Sequence, residues 1–136
     1  MSQLNIPEGY QQVMPYLIVK NADAFSRFMQ AVFGAAEKMK VMRDEEKIMH
    51  AELQLGESTI MFSDATAEFP QQNAALFVYV ADCDTVYDRA LGHGASPLMA
   101  PDEREYGRSA GIRDAFGNTW WITGSASSAN EQAEEE

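Results

Sequence analysis

The chain has 136 residues, of which 46% are apolar, and this suits one globular domain with a core of its own. Its formal net charge of −11 makes nucleic acid and anionic membrane surfaces unfavourable partners, because both are negatively charged. No apolar run approaches the roughly 20 residues of a membrane span, the N-terminus lacks the pattern of a signal peptide, and Cys83 is the only cysteine. We therefore expect a cytoplasmic protein without an internal disulfide.

The first half of the chain predicts one helix and four strands. Residues 1–10 are a lead-in without periodicity. A helix is predicted between Asn21, a favourable N-cap, and Gly34, because apolar side chains recur between them at helical spacing and glycine suits the turn that ends a helix. The predicted strands are 11–19, 36–43, 47–55 and 58–63.

Residues 64–73 have no periodicity and are predicted to be a linker, after which the pattern begins again. The second helix is predicted to start at the N-cap Asp82 and to stop at Gly94. The predicted strands of this half are 75–80, 96–100, 106–113 and 118–123. Residues 125–136 are small, polar and acidic, and we predict that this tail is disordered.

The two halves are an internal repeat. The segment VKNADAF at 19–25 matches VADCDTV at 80–86, each with a valine that ends a strand, an Asx cap and an acid two residues on. Each half reads βαβββ, which is too little to bury a sheet alone. We predict one α+β domain over 11–124, in which modules 11–63 and 74–124 form a curved mixed sheet with helices on the outer face and a concave cleft.

The stretch IRDAFGNTWWIT at 112–123 predicts two strands joined by a tight turn. Asp114 and Asn118 can accept hydrogen bonds from nearby backbone groups, and Gly117 can adopt a positive φ without a steric penalty. Neighbouring residues of a strand face opposite ways, so Trp120 and Trp121 must lie on opposite faces of one sheet. One should be buried, and the other should line the cleft.

A βαβββ repeat that ends in D-x-F-G-N-x-W resembles the vicinal oxygen chelate superfamily, which includes glyoxalases, bleomycin-resistance proteins and extradiol dioxygenases. The chain looks most similar to its PhnB-like branch. The segments that carry the resemblance are MPYLIVKNADAFSRFMQAVFGA at 14–35, KIMHAELQLGESTIMFSD at 47–64 and YGRSAGIRDAFGNTWWIT at 106–123. The resemblance implies the fold more strongly than any reaction, because such folds host many chemistries.

Metal-dependent members of the superfamily carry His, Gln or Glu ligands at four equivalent strand positions. By the resemblance, these positions are Met14, Met61, Ala75 and Trp121 in this chain, and none of the four suits a divalent metal such as zinc. We therefore expect no metal and no other cofactor.

His50 and Glu52 are the candidates for catalysis. Alternation along 47–55 predicts that Met49, Ala51 and Leu53 face the helices, which leaves His50 and Glu52 facing the cleft. A histidine and a carboxylate two residues apart on one strand face can form an acid–base pair, or they can be a polar patch satisfied by neighbouring strands.

Candidate ligand-binding residues line the same cleft. Arg108 resembles the arginine of a YG-x-R-S segment in PhnB-like sequences and suits a carboxylate or phosphonate, although an ion pair within the protein is the alternative. We predict that Arg108 and Trp121 are the two ends of one site. The candidate ligand-binding residues together are Tyr16, His50, Phe77, Tyr79, Arg108 and Trp121.

These observations favour a metal-free protein that binds an anionic or aromatic small molecule, and we expect it to form a homodimer. One alternative is a lyase, isomerase or dioxygenase-type enzyme that uses His50 and Glu52 or an atypical metal site. The other is an interaction module whose cleft is filled by a partner chain.

Overall fold

The computed structural model describes residues 2–124, and within them strands and helices follow the order βαβββ twice. The first module contains β1 (Tyr16–Val19), α1 (Ala22–Phe33), β2 (Ala36–Met42), β3 (Ile48–Leu55) and β4 (Ser58–Asp64). The second contains β5 (Ala75–Val80), α2 (Cys83–Gly92), β6 (Ser96–Arg104), β7 (Gly107–Arg113) and β8 (Thr119–Gly124). The predicted α+β class with tandem βαβββ modules is confirmed. The predicted tail, 125–136, lies outside the described residues.

Each module has its own four-stranded mixed sheet, and the two sheets have the same topology. The orders are β1-β4-β3-β2 and β5-β8-β7-β6. In both sheets the first and last strands of the module pair in parallel, and the other pairs are antiparallel. The chain divides into two compact units between Asn73 and Ala74.

Both helices begin and end where their capping residues require. The Asn21 side chain accepts a hydrogen bond from the backbone N–H of Ala24, and Asp82 accepts one from Thr85. Gly34 ends α1 in the left-handed conformation with φ of 73°, and its N–H bonds to the carbonyls of the last turn. None of the helices within residues 2–124 is long and apolar enough to cross a membrane.

In the first module, α1 packs on one face of the sheet. The ring of Phe25 lies 5.1 Å from that of Phe62, and the Asp64 carboxylate accepts the N–H of Ala22 at the helix start. The buried strand residues on this face include Leu17, Val19, Leu53 and Ile60. We call the opposite face, which carries no helix of its own module, the open face.

Two sequence-based strand boundaries, the start of the first strand and the end of the sixth, are wrong. The strand predicted at 11–19 starts only at Tyr16, because Pro15 has no N–H to donate to a ladder and Gln11 pairs with Thr59 through its side-chain amide instead. In the predicted linker, Gln72 pairs with Ile18 as an isolated bridge. The sixth strand continues four residues beyond its predicted end, to Arg104.

Met49 does not face the helix. It is 53% exposed, whereas Ile48 is buried. Val41 pairs with His50 but the next residue, Met42, pairs with Ile48, so Met49 is an extra residue in β3. This bulge breaks the alternation that the sequence pattern assumed.

Candidate functional site

A row of side chains crosses the open face of the first module. Tyr16 pairs with Met61, Met61 pairs with Glu52, and Glu52 pairs with Met39. Directly paired residues share a face, so all four lie on the side opposite the buried row that contains Leu53. The sheet thus places an aromatic, two thioethers and a carboxylate next to one another.

Four side chains on this face form a continuous hydrogen-bonded chain. Tyr10 Oη donates to Glu52 Oε1 at 2.5 Å, and Glu52 Oε2 lies 2.8 Å from His50 Nε2. His50 Nδ1 in turn lies 3.1 Å from Tyr16 Oη. The predicted pairing of His50 with Glu52 is therefore present as a direct contact, and two tyrosines extend it at both ends.

The carboxylate of Glu52 is 3% exposed but remains in its ionised form near neutral pH. Burial raises its pKa, but the hydrogen bonds from Tyr10 and His50, with the charges of His50 and Lys38, outweigh burial and lower the pKa below the usual value. The same hydrogen bond raises the pKa of Tyr10, because it stabilises the neutral phenol beside the carboxylate. Glu52 therefore places a negative charge on the open face, with the ammonium group of Lys38 nearby.

The N-terminal segment builds a pocket over this charge. The pocket has a volume of about 500 Å³ and lies within the first module. Its walls are largely apolar, and Glu52 supplies the carboxylate. The lining residues that matter here are Leu4, Ile6, Tyr10, Met14, Glu52 and Met61.

Sequence reasoning missed the contribution of the lead-in and of Lys38. Lys38 Nζ donates to the carbonyl of Gly9 at 2.7 Å and to Thr59 Oγ1 at 3.0 Å, and it lies 3.8 Å from the centre of the Tyr10 ring. These contacts hold the lead-in against β4. No periodicity marks residues 1–10, so only the three-dimensional contacts reveal their role.

In the second module α2 packs against β6, β7 and β8, and the opposite face of this sheet, its open face, is aromatic. Phe77 pairs with Trp121 across β5 and β8, and its ring centre lies 5.3 Å from Tyr79 and 6.2 Å from Tyr106. All four aromatic side chains are partly exposed, from 37% for Trp121 to 68% for Tyr79. The face offers ring surfaces on which a flat or apolar molecule can pack.

The turn at 114–118 fixes which tryptophan faces which way. Asp114 is buried and accepts hydrogen bonds from the backbone N–H groups of Phe116 and Asn118, from the Asn118 side chain, and from the indole N–H of Trp120 at 2.9 Å. Trp120 is 1% exposed and Trp121 is 37% exposed. The prediction that the two tryptophans lie on opposite faces is confirmed.

The prediction that Arg108 and Trp121 form one site is wrong. Trp121 pairs with Gly111, so Arg108, three residues earlier on β7, faces the other side of the sheet, toward α2. There its guanidinium binds Asp84 through two contacts of 2.5 and 3.0 Å and Glu103 through one of 3.4 Å. These bonds lower the pKa of Asp84 and raise that of Arg108. The ion pair considered as the alternative is what the structure contains.

The four positions equivalent to metal ligands do not form a metal-binding set. Met14 and Met61 line the pocket of the first module, while Ala75 and Trp121 lie on the open face of the second. Thioethers, a methyl group and an indole do not fit a divalent metal, and within residues 2–124 no three His, Cys, Asp or Glu side chains converge.

The sequence model of the Glyoxalase/Bleomycin resistance protein/Dioxygenase superfamily matches residues 9–122. An uncharacterized protein of Mycobacterium bovis, Mb0911c, is 27% identical over 121 residues, with 78% of each chain covered. The predicted resemblance is thereby confirmed at the level of the superfamily.

Solved structures establish the fold but not the reaction. TioX from Micromonospora sp. ML1 has a TM-score of 0.70 at 20% identity, with 85% of this chain and 98% of that chain covered. The PhnB protein from Bacillus cereus, a putative 3-demethylubiquinone-9 3-methyltransferase, has a TM-score of 0.65 at 17% identity, with coverages of 85% and 100%.

Proposed function

This chain belongs to the Glyoxalase/Bleomycin resistance protein/Dioxygenase superfamily, and on that premise we propose that it is a metal-independent small-molecule-binding protein. The proposed site is the pocket on the open face of the first module. Its ligand is a largely apolar molecule, neutral or cationic, that can donate a hydrogen bond.

The pocket beside Glu52 is the observation that carries this proposal. Ligand sites in proteins are commonly clefts of roughly 300–1,000 Å³ with apolar walls and a few placed polar groups, and this pocket of about 500 Å³ has those properties. Met14 and Met61 add flexible thioether surface that adapts to the shape of a ligand. Glu52, held by two partners, is the group that can fix a ligand's orientation.

The charge of Glu52 decides the ligand class. An ionised carboxylate in an apolar pocket repels an anion and attracts a cation or a hydrogen-bond donor, and the formal net charge of −11 acts in the same direction. The expectation of an anionic ligand depended on Arg108, whose guanidinium is bound to Asp84 on the other face. For this pocket we therefore propose an apolar amine, or a neutral aromatic molecule that donates a hydrogen bond, in place of the anionic ligand expected from the sequence.

A second candidate function is catalysis, and the hydrogen-bonded chain from Tyr10 to Tyr16 favours it. An ionised carboxylate that binds an imidazole can orient that imidazole as a general base, as lyases and isomerases require. A turnover abolished by His50→Ala and preserved by His93→Ala would favour the enzyme over the binding protein.

Homodimer formation remains a proposal. The exposed rings of Phe77, Tyr79, Tyr106 and Trp121 support it, because a face of this kind is costly to leave in water. Light scattering at micromolar concentration would test the mass, and Tyr79→Ser should shift the protein toward the monomer. A monomeric mass for the unaltered protein would rule the dimer out.

The binding proposal is tested by a ligand screen with matched amines and their neutral isosteres, followed by NMR. We expect roughly micromolar affinity, since association entropy must be offset first, and amide shifts at Met14, Glu52 and Met61. Glu52→Gln should lower the affinity for the best amine by about tenfold and the affinity for its neutral isostere by much less. Unchanged affinity for both ligands, or one stoichiometric metal lost on Met14→Ala and Met61→Ala, would contradict the proposal.

A further inference from the structure

A second cavity of about 370 Å³ lies on the open face of the first module, beside the pocket already described. Ser63 follows Met61 by two residues on β4 and therefore lies on the same face of the sheet. Met61 pairs with Tyr16 on β1, and Ser63 pairs with Ile18, the residue two positions further along β1. Tyr16 therefore stands at the boundary between the two cavities. The residues that matter in this one are Tyr16, Ile18, Arg43, Met49, Ser63 and Phe69.

The guanidinium of Arg43 makes few interactions with the described part of the protein. Among residues 2–124, the one ion pair of its side chain is a weak contact of 3.9 Å between Nε and Asp44 Oδ2. Asp44 is committed elsewhere, because its Oδ1 accepts the backbone N–H groups of Glu46 and Lys47 at 2.8 Å each. The two terminal nitrogens of Arg43 thus have no partner in the part of the chain that the structure describes. A planar cation with four free N–H groups suits a carboxylate.

Hydroxyl donors stand beside this cation. Ser63 Oγ has no hydrogen-bond partner within residues 2–124. Thr66 Oγ1 accepts the N–H of Phe69 at 2.8 Å, which leaves its own hydrogen available to donate. The bulge in β3 exposes Met49, and together with Phe69 and Ile18 this side chain supplies the apolar walls.

One acidic residue lines this cavity, and both oxygens of its carboxylate are hydrogen-bonded within the protein. Asp64 lines the cavity, but its two oxygens accept the backbone N–H groups of Ala22 at 2.9 Å and Ile48 at 2.7 Å, on the helix side of the sheet. The other acids nearby, Asp44, Glu45 and Glu46, are exposed in the hairpin, where solvent screens their charge. Among the residues that line the cavity, Arg43 is the cation, and its guanidinium is the charged group open to a ligand beside Met49 and Phe69.

We propose that this cavity is a second binding site, specific for a small organic carboxylate with an apolar body. The carboxylate pairs with Arg43 and accepts hydrogen bonds from Ser63 and Thr66, while Met49 and Phe69 cover the apolar part. The site uses a different charged group from the Glu52 pocket and takes ligands of the opposite charge, so either site can fail without the other.

The experiment compares phenylacetate with its uncharged counterpart phenylacetamide, by NMR titration of the whole chain. Phenylacetate is expected to shift the amide signals of Ser63 and Thr66 and the Nε–H signal of Arg43, with phenylacetamide at least about tenfold weaker. Arg43→Gln should lower the affinity for phenylacetate by about tenfold or more. Arg27→Gln, an exposed arginine on α1 that pairs with Asp23, is the matched control and should change nothing.

Ser63→Ala is a milder second variant, and it does not alter the hairpin between β2 and β3. It should lower the affinity for phenylacetate by about threefold to tenfold. Equal affinity for phenylacetate and phenylacetamide would overturn the proposal, as would an affinity of Arg43→Gln within about twofold of the unaltered protein. Inorganic phosphate binding as tightly as phenylacetate would also overturn it, because the apolar walls would then have no role. Loss of amine binding on Glu52→Gln with phenylacetate binding retained would confirm that the two sites are separate.

Discussion

Gly111 lies directly beneath the indole of Trp121. The two residues are paired across β7 and β8, and a Cβ at position 111 would come within 2.5 Å of Trp121 Cζ3. The ring of Trp121 therefore occupies the space that a side chain at Gly111 would take. This glycine fixes the position of the aromatic surface on the open face of the second module, and no turn or positive φ is involved.

Gly111→Ala should displace the Trp121 ring and destabilise the protein by about 1–3 kcal/mol, the usual effect of adding a methyl group to a filled space. Urea denaturation would measure the loss, and a shift in tryptophan emission would report the displaced ring. Gly92→Ala is the control, because nothing lies within 4 Å of a Cβ built there. Equal stability of the two variants would contradict the packing described.

Glu52→Gln should lower the free energy of unfolding at pH 7 by about 1–3 kcal/mol, since the carboxylate accepts bonds from both Tyr10 and His50. The folded pKa of Glu52 lies below its ordinary value of 4.5. Its contribution is therefore present above pH 4.5 and is lost as the pH falls through the folded pKa.

Urea denaturation should be measured at a series of pH values from 7 to 3. The free energy of unfolding should fall less over this range for Glu52→Gln than for the unaltered chain. Glu57→Gln, an exposed carboxyl in the turn before β4, serves as the control and should follow the unaltered curve. If the Glu52→Gln and unaltered curves run parallel, the carboxylate has no special role in stability.

Asp114→Ala should destabilise the protein by about 2–4 kcal/mol, because four donors lose one buried acceptor. The NMR signal of the Trp120 indole N–H should move toward the position of an unbonded indole. Asp88→Ala, on the exposed side of α2, should change stability by less than about 0.5 kcal/mol. A loss at Asp114 no larger than that at Asp88 would show that the turn does not depend on this network.

Arg108→Gln should return the pKa of Asp84 upward to its ordinary value, because the hydrogen bond and charge of Arg108 lower it. In the unaltered chain this pair stabilises the fold above that ordinary value and ceases to do so as the pH falls through the lowered pKa. Titration of the Asp84 carboxyl by NMR is the measurement, with Arg113→Gln as the control. A marked loss of ligand binding in Arg108→Gln would restore Arg108 as a site residue.

The sequence by itself determined the βαβββ repeat, the helix caps at Asn21 and Asp82, and the opposite orientations of Trp120 and Trp121. Each of these depends on local properties: the period of apolar residues, a side chain that bonds to its own first turn, and the alternation of a strand. Once the resemblance supplied the four ligand-equivalent positions, the residue types at Met14, Met61, Ala75 and Trp121 were enough to predict a poor fit to a divalent metal.

Only the tertiary structure decided which charged groups belong to a site. The face on which Arg108 lies depends on the register of β7 against β8, and the exposure of Met49 depends on one extra residue in β3, neither of which a periodic pattern contains. Tyr10 comes to lie on Glu52 through contacts between residues 42 positions apart, made by a segment with no regular structure. Such contacts arise from packing after the strands are aligned, so the residue types near them carry no signal of the contact.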